Sequence, residues 1–317
     1  MTDTEPTGSD VAPCQWIDLL DPTMEQLDAA LPTGIHETAL DRLTSHHRDH
    51  TDEPRPRLRA EGTYVFGVFV VPVCPAGEDE DLYLQEIDLV VTPERVITVR
   101  KTPPGGVPFP EERLTRAIED CRHAMAGMMA FHLIDEIAEC FLELADDLHS
   151  AIEEVEDGIE SWPDEEVRRR VALLRHDLLR ARRALGPTRE SVHRIVDDRV
   201  EIHGDRPVFP REVELYFADV GDKLNRAVEA LDFSRDILAS VRDYHQAKVA
   251  NDQNEVMQRL TVVASLLLLP TLIVGVYGQN FTDIPELRWH DGYFASWALI
   301  IVLTVVQLVY FRRKKWI

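Results

Sequence analysis

The sequence predicts an α+β cytoplasmic domain, a mixed sheet plus a helical hairpin, that leads into a long stalk helix and two C-terminal transmembrane helices. The first observation is an uneven charge distribution: of 34 basic and 57 acidic residues, only 6 and 3 follow Glu255. The second is a pair of long apolar runs after the same point. The third is a change from strand-like to helical patterns near residue 108. The net charge of −23 argues against a protein that coats nucleic acid.

The two apolar runs predict membrane spans. LTVVASLLLLPTLIVGVY occupies Leu260 to Tyr277, and YFASWALIIVLTVVQLVYF occupies Tyr293 to Phe311. Each approaches the ~20 residues that a helix needs to cross ~30 Å of hydrocarbon. The alternative is a pair of buried core helices, but two such runs separated by a short loop are unusual in a soluble domain.

The flanking charges predict the orientation of these spans. The tail after the second span is RRKKWI, whereas the connection 279–291 holds three acidic residues and one arginine. By the positive-inside rule the tail is cytoplasmic, and two spans place the N-terminal part there as well. The four cysteines are widely spaced and no signal-peptide pattern precedes them, which favours a reducing compartment. We therefore expect a multi-pass protein of the inner (plasma) membrane.

The first part of the chain predicts a sheet with short helices. Segments 64–73, 83–91 and 95–100 are rich in β-branched and aromatic residues and are bounded by turn residues, as strands are. Short helical patterns lie between Thr23 and Ala30 and between His36 and Thr44.

The middle of the chain predicts a helical hairpin. The segment PPGGVPFP at 103–110 is a predicted boundary. Glu111–Trp162 carries apolar residues at helical spacing and becomes densely acidic, and Pro163 separates it from an arginine-rich helix at Asp164–Val196. Complementary charge favours an antiparallel pair. The alternative for the arginines is an anionic-lipid or nucleotide site.

A single long helix is predicted from Pro210 to Gly278, about 68 residues or ~100 Å at 1.5 Å per residue. Its first half carries an apolar stripe at steps of three and four residues: Val213, Phe217, Val220, Leu224, Ala227, Leu231, Leu238 and Val241. Because a lone rod on one narrow stripe is unstable, we expect self-association with this stripe facing other copies.

Five short motifs lie at the membrane end of this helix and beyond it. They are NEVM at 254–257, YGQNF at 277–281, IPELRW at 284–289, GY at 292–293 and RRKKWI at 312–317. In order and spacing they resemble the CorA family of divalent-cation channels, whose signature is YGMNF followed by MPELxW and GY. The resemblance extends less sharply over the stalk, hairpin and sheet.

The resemblance implies a homopentamer in a lipid bilayer, with five copies of the first membrane helix around a pore for divalent cations. The implied selectivity filter is Gly278, Gln279 and Asn280, with Gln279 in place of the usual methionine. Five Asn280 amides would present neutral oxygens to an ion that dehydrates reluctantly, which suits capture of hydrated Mg²⁺. The substitution at Gln279 makes ion selectivity the first property that should differ. In the outer loop, Asp283 and Glu286 would concentrate cations.

The spacing on the first span predicts the pore face. Its members are Asn254, Met257, Leu260, Ala264, Leu268, Thr271 and Gly275. Met257, Leu260 and Leu268 are the candidate gate, since apolar constrictions close by dewetting. The alternative is that these apolar residues only pack helices together. Pro270 predicts a kink and frees the Leu266 carbonyl.

The family's regulatory Mg²⁺ site predicts a further position on the stalk. Asp219, in the segment ADVGD, matches the family's stalk aspartate. Where the family supplies a second acid, this sequence has Arg42, next to Asp41. We expect an Arg42–Asp219 charge pair between subunits in place of a metal site. Gating by cytoplasmic Mg²⁺ would then be weakened or moved to other carboxylates such as Asp41 or Asp222.

The cluster HHRDH at 46–50 is the densest set of metal-capable side chains. It could form a zinc or phosphoesterase site. Its place in a polar loop without a complementary ligand pattern favours a solvated loop.

The resulting organisation has seven parts: 1–108, α/β subdomain; 109–209, hairpin; 210–255, stalk; 256–278, first span; 279–291, outer loop; 292–311, second span; and 312–317, basic tail. The favoured function is a CorA-type homopentameric channel for passive transport of Mg²⁺, with Co²⁺ or Ni²⁺ as further ions, without a cofactor or enzymatic activity. The alternatives are a ZntB-like Zn²⁺ transporter on the same fold and a non-conducting membrane-anchored scaffold or sensor. An enzyme at the histidine cluster is the weakest hypothesis.

Overall fold

The computed structural model describes residues 14–45, 55–73, 82–102, 107–119, 125–204, 206–279 and 289–316. It divides into two compact units, Met1–Val241 and Arg242–Ile317. The strands are β1 (Gln15–Leu20), β2 (Arg57–Glu61), β3 (Tyr64–Val73), β4 (Tyr83–Val91) and β5 (Arg95–Arg100). The helices are α1 (Met24–Ala30), α2 (Glu37–Thr44), α3 (Glu111–Ile118), α4 (Ala126–Gly158), α5 (Asp164–Val196), α6 (Arg211–Tyr277) and α7 (Gly292–Arg313).

The first unit contains a five-stranded mixed sheet in the order β1-β5-β4-β3-β2. β1 pairs parallel to β5, and the other neighbours are antiparallel. The three predicted strands are confirmed as β3, β4 and β5, and the two short helical patterns as α1 and α2. β1 and β2 were not predicted, because neither QWIDLL nor RLRAE carries a run of β-branched and aromatic residues.

Two hydrophobic cores flank this sheet. Alternate residues of β3 point to opposite faces, so that Phe66 joins one core and Phe69 the other. The smaller core packs α1 and α2 against the sheet through Leu27 and Leu43. The larger core holds Phe69 together with helices α3 to α6.

The predicted helix Glu111–Trp162 is wrong as a single element. It consists of α3, which ends at Ile118, and α4, which begins at Ala126. The arginine-rich helix is confirmed as α5. Arg170 spans the hairpin, because it pairs with Glu154 of α4 at 2.8 Å and its guanidinium lies 4.2 Å from the centroid of the Trp162 ring.

The direction assigned to the apolar stripe of α6 is also wrong. All eight stripe residues are buried inside the single chain and belong to the larger core. They therefore cannot face other copies. Helical spacing correctly indicated that one face is covered, but α4 and the rest of the same chain cover it. The outward face of α6 instead exposes Leu215 and Phe233, with Asp219 and Asp222 exposed between them.

A buried group of charges ties α2 to the sheet. Lys101, just after β5, forms ion pairs with Glu86 and Asp88 of β4, the latter at 2.8 Å. Its Nζ also donates to the carbonyl of Arg42 at the end of α2, at 2.7 Å. The Arg42 guanidinium in turn lies 3.4 Å from Glu86. Glu86 thus has two cationic partners and Asp88 has one.

Burial is the main cause of the protonation behaviour of Asp88. Complete burial and the neighbouring Glu86 raise the pKa of the Asp88 carboxyl from 3.8 to about 8, against the opposing attraction of Lys101. The folded-state pKa lies above the unfolded value, so its contribution to stability is fully present below about pH 4. That contribution is lost as the pH rises toward 8.

We therefore expect the free energy of unfolding of Asp88→Asn to fall less than that of the wild type between pH 5 and pH 8, by roughly 3 kcal/mol. The measurement is the thermal midpoint of the purified full-length chain in detergent across that range. Asp28→Asn, which removes an exposed carboxyl from α1, is the matched control and should follow the wild type. Parallel curves for Asp88→Asn and wild type would contradict the assignment.

Candidate functional site

The predicted pore face is uncovered in the second unit. The seven residues from Asn254 to Gly275 that define it are all exposed, and we call them the free face. Leu268 is 71% exposed and Leu260 is 60% exposed. Apolar side chains exposed to this extent in a row require another covering surface.

The opposite side of the same helix faces α7. The less exposed positions of α6 in this region are Val262, Ser265, Leu266, Leu269 and Ile273. The Gln307 amide of α7 donates to the carbonyl of Ser265 at 3.4 Å, which identifies this as the α7-facing side. Successive residues of a helix are about 100° apart. The centre of the α7-facing side therefore lies roughly half a turn around α6 from the centre of the free face. The second membrane helix therefore leaves the predicted pore residues unobstructed.

The free face has a polar residue toward each end and apolar residues between them. Its polar members are Asn254 at one end and Thr271 toward the other, with Met257, Leu260 and Leu268 between them. The Thr271 hydroxyl donates to the Leu267 carbonyl at 2.6 Å, so its oxygen keeps free lone pairs. α6 continues without interruption through Pro270 to Tyr277.

At the end of α6 the backbone requires a glycine. The amide of Gly278 donates to the Val274 carbonyl at 2.8 Å, and a Cβ atom at residue 278 would lie 2.9 Å from that same oxygen. A side chain would therefore disturb the last turn. Gln279 follows and is exposed. Tyr277, Trp289 and Tyr293 line a cavity between this end and the start of α7.

The remaining predicted filter and loop residues, Asn280, Asp283 and Glu286, lie outside the described residues, as does the histidine cluster at 46–50. In the part of the chain that is described, no group of three or more His, Cys, Asp or Glu side chains is placed to hold a metal ion.

The predicted regulatory residues do not meet within one chain. Asp219 and Asp41 are both exposed. Arg42 has an intrachain partner in Glu86, a contact that the sequence analysis missed. Gln307 was missed as well. The sequence did indicate a contact for Gln307, because it is a single amide among nineteen mostly apolar residues. Such an amide needs a hydrogen-bond partner in a membrane.

Both apolar helices have the length and hydropathy of membrane spans. In the most apolar 18-residue segment of each helix, only 6% of the segment is buried within the chain. This excludes the alternative of soluble core helices, whose side chains would be mostly covered. The fold and the two exposed apolar helices together define an integral membrane protein. The chain belongs to the CorA-like Mg²⁺ transporter family, whose profile matches residues 12–313.

One relative is similar over most of the chain, and two solved structures share the fold. The cobalt/magnesium transport protein CorA of Thermotoga maritima is 29% identical over 285 residues, which cover 90% of this chain and 77% of that protein. The complete structure of the CorA magnesium transporter from Methanocaldococcus jannaschii has a TM-score of 0.78 at 20% identity and covers 99% of this chain and 95% of that one. The cytoplasmic domain of ZntB from Vibrio parahaemolyticus has a TM-score of 0.56 at 12% identity, covering 79% and 93%.

The exposure pattern of α6 predicts which substitutions block transport. After the four native cysteines are replaced by alanine, a charged methanethiosulfonate reagent should reduce ion flux through Leu268→Cys to roughly a tenth, because a charged adduct would obstruct an apolar constriction. Val263→Cys is the control, since Val263 is also exposed, at 54%, but lies about 140° around the helix from Leu268. Flux is measured in proteoliposomes, and equal block at both positions would contradict a pore along the free face.

Proposed function

We propose that the chain assembles as a homopentameric channel that conducts Mg²⁺ passively across the inner (plasma) membrane, with both termini in the cytoplasm. The observation that carries this proposal is the free face, whose polar and apolar residues are left open on the side of α6 away from α7. The sequence contains no P-loop, so transport driven by ATP is not part of the proposal.

The conduction path runs along five copies of the free face. Asn254 forms the inner polar ring, and Thr271 forms a polar ring nearer the outer end. Between them, Met257, Leu260 and Leu268 form the constriction that closes by dewetting. Ions would enter through rings of Gly278, Gln279 and Asn280, with Asp283 and Glu286 raising the local cation concentration.

Contacts between copies can use the outward face of α6. Leu215 is 64% exposed, and Phe233 is 61% exposed although its ring centroid lies 5.9 Å from that of His149 in α4. Side chains of this size are commonly buried at interfaces between subunits. Asp219 and Asp222 lie on the same face and would come close to a neighbouring copy.

A Zn²⁺ transporter on the same fold is the second candidate, and Gln279 favours it. An amide in the filter adds an oxygen and a nitrogen where the family has methionine, and so changes the ligands that an entering ion meets. The fold likeness to the ZntB cytoplasmic domain accommodates this candidate without deciding the ion.

Ion flux in proteoliposomes separates these functions. The wild type should take up Mg²⁺, and Asn280→Ala should reduce uptake by roughly tenfold or more, because the ring of amide oxygens is lost. Gln279→Met restores the family residue and should shift the preference among Mg²⁺, Co²⁺ and Zn²⁺ while retaining flux. Zn²⁺ uptake without Mg²⁺ uptake would replace the proposal with the second candidate, and absence of all flux would favour a non-conducting scaffold.

Regulation by cytoplasmic Mg²⁺ should be weak in this chain. Arg42 occupies the position of the second acid and is held by Glu86. A metal ion at Asp219 would therefore lack a facing carboxylate at this position.

Limited proteolysis tests this expectation. Mg²⁺ should protect the wild type and Asp219→Ala equally, because no metal bridges Asp219 to α2. Arg42→Asp supplies the missing acid and should increase protection, and the double variant with Asp219→Ala should lose that gain. A clear loss of protection in Asp219→Ala alone would show that Asp219 still binds the regulatory ion.

A further inference from the structure

The chain after α7 is held in a defined turn. Lys315 adopts a left-handed conformation with φ of 58°. The amide of Trp316 donates to the Phe311 carbonyl at 3.1 Å, and that of Lys315 donates to the Arg312 carbonyl at 3.2 Å. This pair of hydrogen bonds is a Schellman motif. The basic tail therefore does not fray from the helix but folds back onto it.

An aromatic contact secures this turn. The Trp316 ring stacks on the Phe311 ring with centroids 5.7 Å apart and planes 18° apart. Phe311 is only 7% exposed, the lowest value among the large apolar residues of α7. The contact joins the residues at which Schellman motifs characteristically bury an apolar pair. It offsets the cost of a left-handed lysine, whose side chain would otherwise disfavour that conformation.

Four adjacent cations are thereby displayed without partners. Arg312, Arg313, Lys314 and Lys315 are all exposed, and none has an ion pair in the described part of the chain. Elsewhere in the described chain arginines are either paired, as Arg259 is with Glu255 and Arg182 with Asp232, or unpaired but apart from one another in the sequence, as Arg116 and Arg168 are. In a chain with a net charge of −23, four consecutive unpaired cations indicate that their counter-ions come from outside the chain.

The position of these cations selects the kind of anion. At about 100° per residue, four successive residues surround the end of the helix. They directly follow an apolar run of nineteen residues, with Tyr310 and Trp316 at the junction. Aromatic side chains of this type lie at the level of lipid headgroups, and basic clusters at the inner end of a span attract anionic lipids.

We propose that the Arg312–Lys315 turn is a binding site for the headgroups of anionic phospholipids in the inner leaflet. The four cations bind the phosphate and acidic headgroup, and the Trp316–Phe311 stack holds them at the depth of the interface. The inference rests on the proposed function for the placement of this end in the membrane, but its lipid preference is measurable without ion flux.

The test uses the purified full-length protein in a neutral detergent, titrated with phosphatidylglycerol or phosphatidylcholine and analysed by native mass spectrometry for retained lipid. The wild type should retain phosphatidylglycerol with a preference of roughly tenfold or more, since each basic residue near an anionic surface adds affinity. Equal retention of the two lipids would overturn the proposal. Displacement of the bound lipid by millimolar inorganic phosphate would also overturn it, because the site would then be one for free anions.

Three variants locate the site. R312Q/R313Q/K314Q/K315Q should abolish the preference, and Lys314→Gln with Lys315→Gln should halve it or more if the quadruple variant fails to fold. The charge-matched control is R116Q/R168Q/R175Q/R183Q, which removes four exposed arginines of the first unit that have no described ion pair. This control should retain the preference for phosphatidylglycerol. Trp316→Ala keeps every charge, yet should weaken retention several-fold because the turn loses its aromatic contact.

The outcomes distinguish this site from the proposed function. A quadruple variant that keeps the wild-type preference, or Trp316→Ala that binds as the wild type does, would overturn the site whatever the flux. Mg²⁺ flux in the wild type together with equal lipid retention would remove this proposal alone. A lipid preference that depends on the four cations in a protein without flux would support the site and remove the channel function alone.

Discussion

The bilayer imposes the constraint on which the second unit depends. Hydrocarbon offers no hydrogen-bond partners, so each span must satisfy its own backbone, and an uninterrupted helix does so. α6 and α7 meet this requirement, but the side chains in their apolar windows are almost entirely uncovered by the chain itself, at 6% buried. The single chain is therefore incomplete in water. Lipid can cover an apolar surface, whereas the exposed polar positions on the free face call for protein or an aqueous path.

Because of this constraint, the two sides of α6 have different surroundings. Val262 and Ser265 lie on the side that faces α7, where Gln307 supplies the one described side-chain hydrogen bond between the two helices. Asn254 and Thr271 lie on the other side, where the described residues of the chain leave them exposed. A helix that used one side for both purposes could not enclose a path for ions. Separation of the two sides by about half a turn makes a ring of helices geometrically possible.

The sequence predicted elements best where one residue type dominates locally. β3 to β5 followed from runs of valine, isoleucine and aromatic residues, whereas β2, with sequence RLRAE, carries no such run and was missed. Periodicity on α6 identified a covered face but could not identify what covers it, so the stripe was assigned to other copies when its partner is α4. The residues of the free face could be grouped from the sequence because their grouping depends only on spacing within one helix. The contact between Arg42 and Glu86 could not be predicted, because the two residues are 44 positions apart in the sequence.

The buried charges beneath α2 show how one substitution can change regulation without changing the fold. An acid at residue 42 would add a third carboxylate beside Glu86 and Asp88, with Lys101 as the only cation of the group, and like charges in a buried site repel strongly. Such a site would gain from an external cation. Arginine at residue 42 instead supplies a cation from within, pairs with Glu86 and leaves α2 anchored through the Lys101 contact to its last turn. The same helix position is thus held to the sheet by the chain's own charge.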